Sequence, residues 1–215
     1  MKFVLSLIVA TILLTGCKAT VSTEVSLKDI IEGESKAIAG DLHVEVAACN
    51  SYEDSRKPSS SIVKVQQTIP SIFADAEYIE CFSKEFDSFA YFQVPFFLDK
   101  DKDGKLASEK HINIISNEDT LLWVGIPTLI KENMERVRSN SYGVNALDLN
   151  INIKVNNDTG KDFPFTVYAA YIDGQPYVLS NLTSKGDGAF IVTLSDVSVS
   201  HALDSGFSMV LNWQE

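Results

Sequence analysis

Apolar and polar side chains alternate without a fault over residues 147–156. Leu147, Leu149, Ile151, Ile153 and Val155 stand against Asp148, Asn150, Asn152, Lys154 and Asn156. Successive side chains of a strand point to opposite faces, so this pattern predicts a strand with one packed and one wet face. A shorter period-two pattern marks residues 21–25 and 41–47, where Leu42, Val44 and Val46 share a side. Between them, Ser26-Leu27-Lys28-Asp29 reads as a capped helical turn that stops at Gly33. A polar loop over 50–61 leads into a helix over 62–73, interrupted near Pro70. Next come a strand ending at Cys81 and another over 89–98, which the turn 99–104 folds back along 105–115 as a hairpin. Residues 121–126 read as one more strand. Pro127 then starts a helix to about Arg138, with Leu129, Ile130, Met134 and Val137 as its apolar stripe.

After Gly143 the pattern is purely β. The turn Asn157-Asp158-Thr159-Gly160 leads to a strand over 163–171, Asp173-Gly174 turns it into 177–179, and strands over 189–194 and 207–213 follow. Short antiparallel strands about ten residues apart suggest an immunoglobulin-like sandwich. The expected fold class is therefore α+β and β-rich. A mixed antiparallel α/β lobe spans 17–142, and an immunoglobulin-like β-sandwich lobe spans 143–215. Along 89–98, Ala90, Phe92, Val94, Phe96 and Leu98 fall on the side a sheet interior requires, and Pro95 favours an edge position. Phe89, Tyr91 and Phe97 fall on the other side. Together with Phe82 and Phe86 they form an aromatic group that needs a cover or a partner.

The N-terminus carries a different signal. Behind Lys2, residues 3–14 are mostly apolar, but twelve residues at about 1.5 Å each reach only about 18 Å of a hydrocarbon core about 30 Å thick. The run is too short to span. A plain secretory signal would need a small-x-small cleavage site, and the nearest candidate places bulky Lys18 beside the cut. The run ends instead in Leu14-Thr15-Gly16-Cys17. This stretch resembles the precursors of bacterial lipoproteins, whose pattern is a Leu, two small residues and a modified Cys. The resemblance implies that residues 1–16 are a signal peptide removed on export. It also implies a diacylglycerol on the Cys17 sulfur and a further acyl chain on the new amine. Each buried methylene contributes about 0.8 kcal/mol and a single chain is marginal, so two or three chains anchor a body durably to a bilayer. Lys18, where an Asp would signal inner-membrane retention, favours the outer membrane with the body facing the periplasm. The plainer alternative is an ordinary signal peptide with an incidental cysteine. The rest of the chain is similar, without a quotable motif, to uncharacterised lipoproteins of bacteria and their prophages.

Charge narrows the partners. With Lys2 removed, 17 of the 18 basic residues face 29 acidic ones, a formal charge of −12. Nucleic acid is excluded as a partner class, because phosphate binding needs clustered Lys and Arg, and Lys131, Arg136 and Arg138 are diluted by Glu132 and Glu135. An anionic lipid surface repels such a body, so the acyl chains must do the anchoring. Once Cys17 is acylated, Cys49 and Cys81 remain, in an oxidising compartment. A bond between them closes a loop of 33 residues and stabilises the fold by roughly 3 to 4 kcal/mol in the chain-entropy model. Two buried free thiols are the alternative.

Among candidate chemistry, Asp99-Lys100-Asp101-Lys102-Asp103-Gly104 resembles the first half of an EF-hand-type calcium loop. Asp99, Asp101 and Asp103 would be the ligands. The second half fails, with Lys110 where a bidentate Glu belongs, and a hairpin tip explains the same residues. No other cofactor is indicated. Asp41, His43 and Glu45 share one face of a predicted strand, an arrangement that either holds a metal, moves protons or merely faces water. His111 and His201 stand alone. Esterase elbows, zinc-protease helices, phosphate loops and dinucleotide fingerprints are absent. The reading these features support is a membrane-anchored envelope lipoprotein that binds an envelope protein without catalysis. An envelope hydrolase using dispersed carboxylates, with or without calcium, and a passive structural spacer are the alternatives.

Overall fold

β1 (Lys18–Ser26) buries Ala19, Val21, Thr23 and Val25 and turns the residues between them outward. The computed structural model describes residues 18–100, 105–140 and 147–214. At the end of β1, the Ser26 hydroxyl accepts the Asp29 N–H and opens α1 (Leu27–Glu32), which Gly33 closes. The sequence signals for this turn are met one for one. β2 (Lys36–Val46), α2 (Ser60–Ile72), β3 (Glu77–Lys84) and β4 (Asp87–Lys100) follow, then β5 (Ile112–Ser116), β6 (Leu122–Gly125) and α3 (Thr128–Asn140). The chain ends with β7 (Asp148–Asn156), β8 (Phe163–Ile172), β9 (Gln175–Ser184), β10 (Ala189–Leu194), α4 (Asp196–Ser205) and β11 (Phe207–Trp213).

Nine strands close into one ring in the order β10, β7, β1, β2, β4, β5, β6, β11, β8 and back to β10. The expected pair of lobes is therefore wrong: there is neither a separate mixed α/β lobe nor an immunoglobulin-like sandwich. β1 runs parallel to β7 along its whole length, Lys18 opposite Asp148 through to Ser26 opposite Asn156, and β6 pairs with β11. Alternation reveals which face of a strand is packed but not which strand lies beside it, and a parallel pairing leaves no local turn to read. The expected boundary at 142/143 lies outside the described residues.

Two strands act as corners. β2 takes one edge of β4 throughout, and the other edge is divided between β3, up to Gln93, and β5, from Phe96. Pro95, which has no N–H to offer, falls in the gap between them. This corrects the expectation of an edge strand: β4 is interior, and the proline marks its change of partner. β8 is divided in the same way. β9 takes one edge, leaving the other for β11 at Phe165–Val167 and β10 at Ala170–Ile172. Between these stretches Ala169 adopts φ 43°. That kink shifts the alternation by one, so that Phe165, Val167, Ala170 and Ile172 all face inward.

Three further expectations are corrected. β5 is parallel to β4, so 99–115 is a crossover and not a hairpin. α2 runs through Pro70 to Ile72 without interruption, since the proline sits in the last turn, where only one ladder bond is lost. The region after Gly143 is not purely β. α4 fills the space where β10 and β11 part, burying Ser198, Val199 and Ala202, and the Ser198 hydroxyl donates to the Ala169 carbonyl.

The ring is solid. Leu42, Phe92, Phe96, Ile114, Leu122, Ile151 and Phe165 are buried in it, each stabilising the fold by about 1.5–3 kcal/mol. Gly40 is required where the Phe96 ring crosses β2, because a Cβ there would meet that ring at 2.4 Å. Apolar side chains point in and polar ones such as Asn150, Asn152 and Lys154 point out, the reverse of a barrel whose wall faces lipid.

Candidate interaction surfaces

The outer face of β2, β4 and β3 holds Phe82, Phe89 and Tyr91 of the expected aromatic group, while Phe86 stands exposed on the turn between β3 and β4. His43 stands opposite Tyr91 and stacks on it, with ring centroids 5.0 Å apart and planes 18° apart. Phe82 meets His43 edge-on at 5.6 Å and lies 5.7 Å from Phe89. The Tyr91 hydroxyl donates to Asp41 at 2.7 Å. Burial pushes the His43 pKa below its ordinary value, with Asp41 pulling part of the way back, and the bond to Asp41 raises that of Tyr91. The imidazole is therefore neutral near pH 7. Each ring is half-buried by its neighbours, so this face largely covers itself. Beneath it, Tyr78 packs edge-on against buried Phe92 at 5.4 Å.

β9 is held differently. Among the described residues it pairs only with β8, and no strand lies along its other edge. Asp173 and Gly174 both take positive φ at the hairpin turn, as the Asp-Gly pair predicts. Tyr177 and Leu182 lean on the core, but Val178 and Leu179 are 86% and 63% exposed. Adjacent residues of a strand point to opposite faces, so both faces of this edge are apolar and wet. An open edge with such side chains is a template for another strand.

A family model covers residues 19–215, from the second residue of β1 past the end of β11, and so takes in the whole ring. The chain belongs to the DUF7424 family, a domain of unknown function. No curated protein and no solved structure matches it. In this DUF7424 chain Cys17 lies outside the described residues, as do residues 1–16 and both Asp101 and Asp103. Cys49 and Cys81 are joined by a disulfide, with Cα atoms 5.5 Å apart, which ties the loop after β2 to β3. Asp99 is buried within β4 and accepts a hydrogen bond from the Ser35 hydroxyl. Among the described residues no three His, Cys, Asp or Glu side chains gather where they could hold a metal ion. That includes Asp41, His43 and Glu45, which the strand spreads along one face.

His111 is less isolated than its sequence suggests. Its Nε2 lies 3.0 Å from Asp75 and its Nδ1 2.8 Å from the Ser108 hydroxyl. The order is that of a hydrolytic triad, but the Ser108 oxygen accepts the backbone N–H groups of Lys110 and His111 and so closes a turn. The adjoining cavity, lined by Phe73, Pro95, Phe96 and His111, measures about 10 Å³, which admits one water and no substrate. A larger crevice of about 220 Å³ opens between α3 and α4 over Met134, Leu147 and Leu203. Lys131 and Asp204 bridge its rim at 2.9 Å, and that bond raises the pKa of the lysine and lowers that of the acid.

Proposed function

We propose that this DUF7424 protein is an envelope lipoprotein, anchored through acyl chains on Cys17 at the periplasmic side of the outer membrane. Its ring is a non-catalytic binding module to which an envelope protein adds a strand along β9. The exposure of Val178 and Leu179 on an unpaired edge carries this reading. Main-chain hydrogen bonds would supply affinity there, and the two apolar side chains would supply selectivity. The lipoprotein-type N-terminus supports the anchoring. The binding role is supported by the apolar side chains that β9 leaves exposed on both of its faces.

The test is capture from detergent-solubilised membranes with the natively acylated protein and with its Val178→Lys/Leu179→Lys variant. Wild type should retain an envelope protein that the variant retains about tenfold less, a difference of ~1.4 kcal/mol. Equal capture by both, or turnover in a panel of envelope hydrolase substrates, would overturn it.

A further inference from the structure

We infer that the margin of the ring where β1 begins is seated in the lipid headgroup layer, with Phe86, Val197 and Tyr52 as its contacts. The inference rests on acylation of Cys17. Pairing starts at Lys18 itself, opposite Asp148, and Ala19 is already in register with Leu149 on one side and Val44 on the other. An acylated Cys17 is bonded directly to this paired residue, with successive Cα atoms about 3.8 Å apart. No tether separates anchor from ring, so the ring cannot stand off from the bilayer.

Register then decides which side chains meet the lipid. Ala19, Val44 and Ala90 are level across β1, β2 and β4. In the direction in which Lys18 lies one residue beyond Ala19, Phe86 lies four beyond Ala90. At about 3.3 Å per residue, Phe86 therefore projects about 10 Å farther than Lys18. It sits on the β3–β4 turn and is 103% exposed. On the other flank β10 is antiparallel to β7, so the first turn of α4, carrying Val197 at 74% exposure, lies along the same margin. Tyr52, 105% exposed, is on the loop that leaves β2 there and is tied to β3 through Cys49 and Cys81. Three separate connections thus present apolar side chains around the anchor, at the depth where aromatic and apolar groups partition into an interface. Because the body is strongly acidic, the seat does not depend on anionic lipid.

The natively acylated protein, labelled with an environment-sensitive fluorophore at Phe86→Cys, Val197→Cys or Lys28→Cys, is reconstituted into phosphatidylcholine vesicles containing a doxyl-lipid quencher. Lys28 is exposed on α1, at the far end of β1. Labels at 86 and 197 should be quenched at least twofold more than the label at 28. Flotation with the vesicles but equal quenching at all three sites overturns the seating and leaves the lipoprotein reading intact. Failure to float, with an unmodified Cys17 by mass spectrometry, overturns both.

Discussion

Two strands hang outside the ring, β3 on β4 and β9 on β8, and they are held in opposite ways. β3 is stapled by a disulfide, packs Tyr78 onto Phe92 and tucks Phe82 against His43 and Phe89. Among the described residues β9 has only its hairpin partner, with two half-buried side chains on the core. Both positions have the same topology, yet one is built as structure and the other left as surface. Lying outside a closed sheet does not by itself leave a strand uncovered; what sets β9 apart is apolar area that the protein does not cover for itself.

The contrast is tested hardest where β3 meets the core. Phe92→Ala should lower stability by about 3–5 kcal/mol in urea unfolding, because it leaves a cavity under Tyr78; a loss below about 1 kcal/mol would mean that β3 is not part of the packed body. Replacing Cys49 and Cys81 together with Ser should remove roughly 3 kcal/mol, and added reductant should have no further effect on that variant. At the other corner, Ala169→Gly relieves a left-handed backbone and should gain about 0.5–1 kcal/mol. A loss there would show that the kink is held by its side chain. Val178→Lys/Leu179→Lys should change stability by no more than about 0.5 kcal/mol, which separates any loss of capture from unfolding.

The smallest effect is one of pH. The His43 pKa is held below its ordinary value of 6.5, chiefly by burial. The unfolded chain then takes up a proton before the folded one does, so the contribution of this ring to stability is full above that value and is lost as pH falls through it. Between about pH 7.5 and 5.5, His43→Phe should lose less melting temperature than wild type. Identical slopes would show that the stack leaves the imidazole free to titrate.

Single strands were legible because alternation is a local property, and so were the Ser26 cap, the Asp173-Gly174 turn and the Cys49–Cys81 pairing. Neighbours were not legible: nothing in residues 18–26 says that they lie beside 148–156. Pro95 was read as the mark of an edge strand and that was wrong: a missing N–H is a local fact, but whether it means an edge strand or an edge shared by two partners depends on strands far away in the chain. α4 was hidden by its own composition. Val197-Ser198-Val199-Ser200 alternates as a strand does and forms helix poorly, so only Ser195 and Gly206, its N-cap and its C-terminal glycine at φ 89°, could have given it away. The β9 surface had a signal too, because three apolar residues in a row, Tyr177-Val178-Leu179, cannot all face one core.

β1 lies between β2 and β7, with its second edge claimed residue for residue by a strand made far later in the chain. Such distant parallel pairing forms slowly, and until Asp148–Asn156 is present the first strand has nothing to close against. A chain crossing a membrane from its N-terminus would therefore stay open and threadable until most of its length had passed. The wiring of the ring postpones its closure until the last strands of the chain have been made.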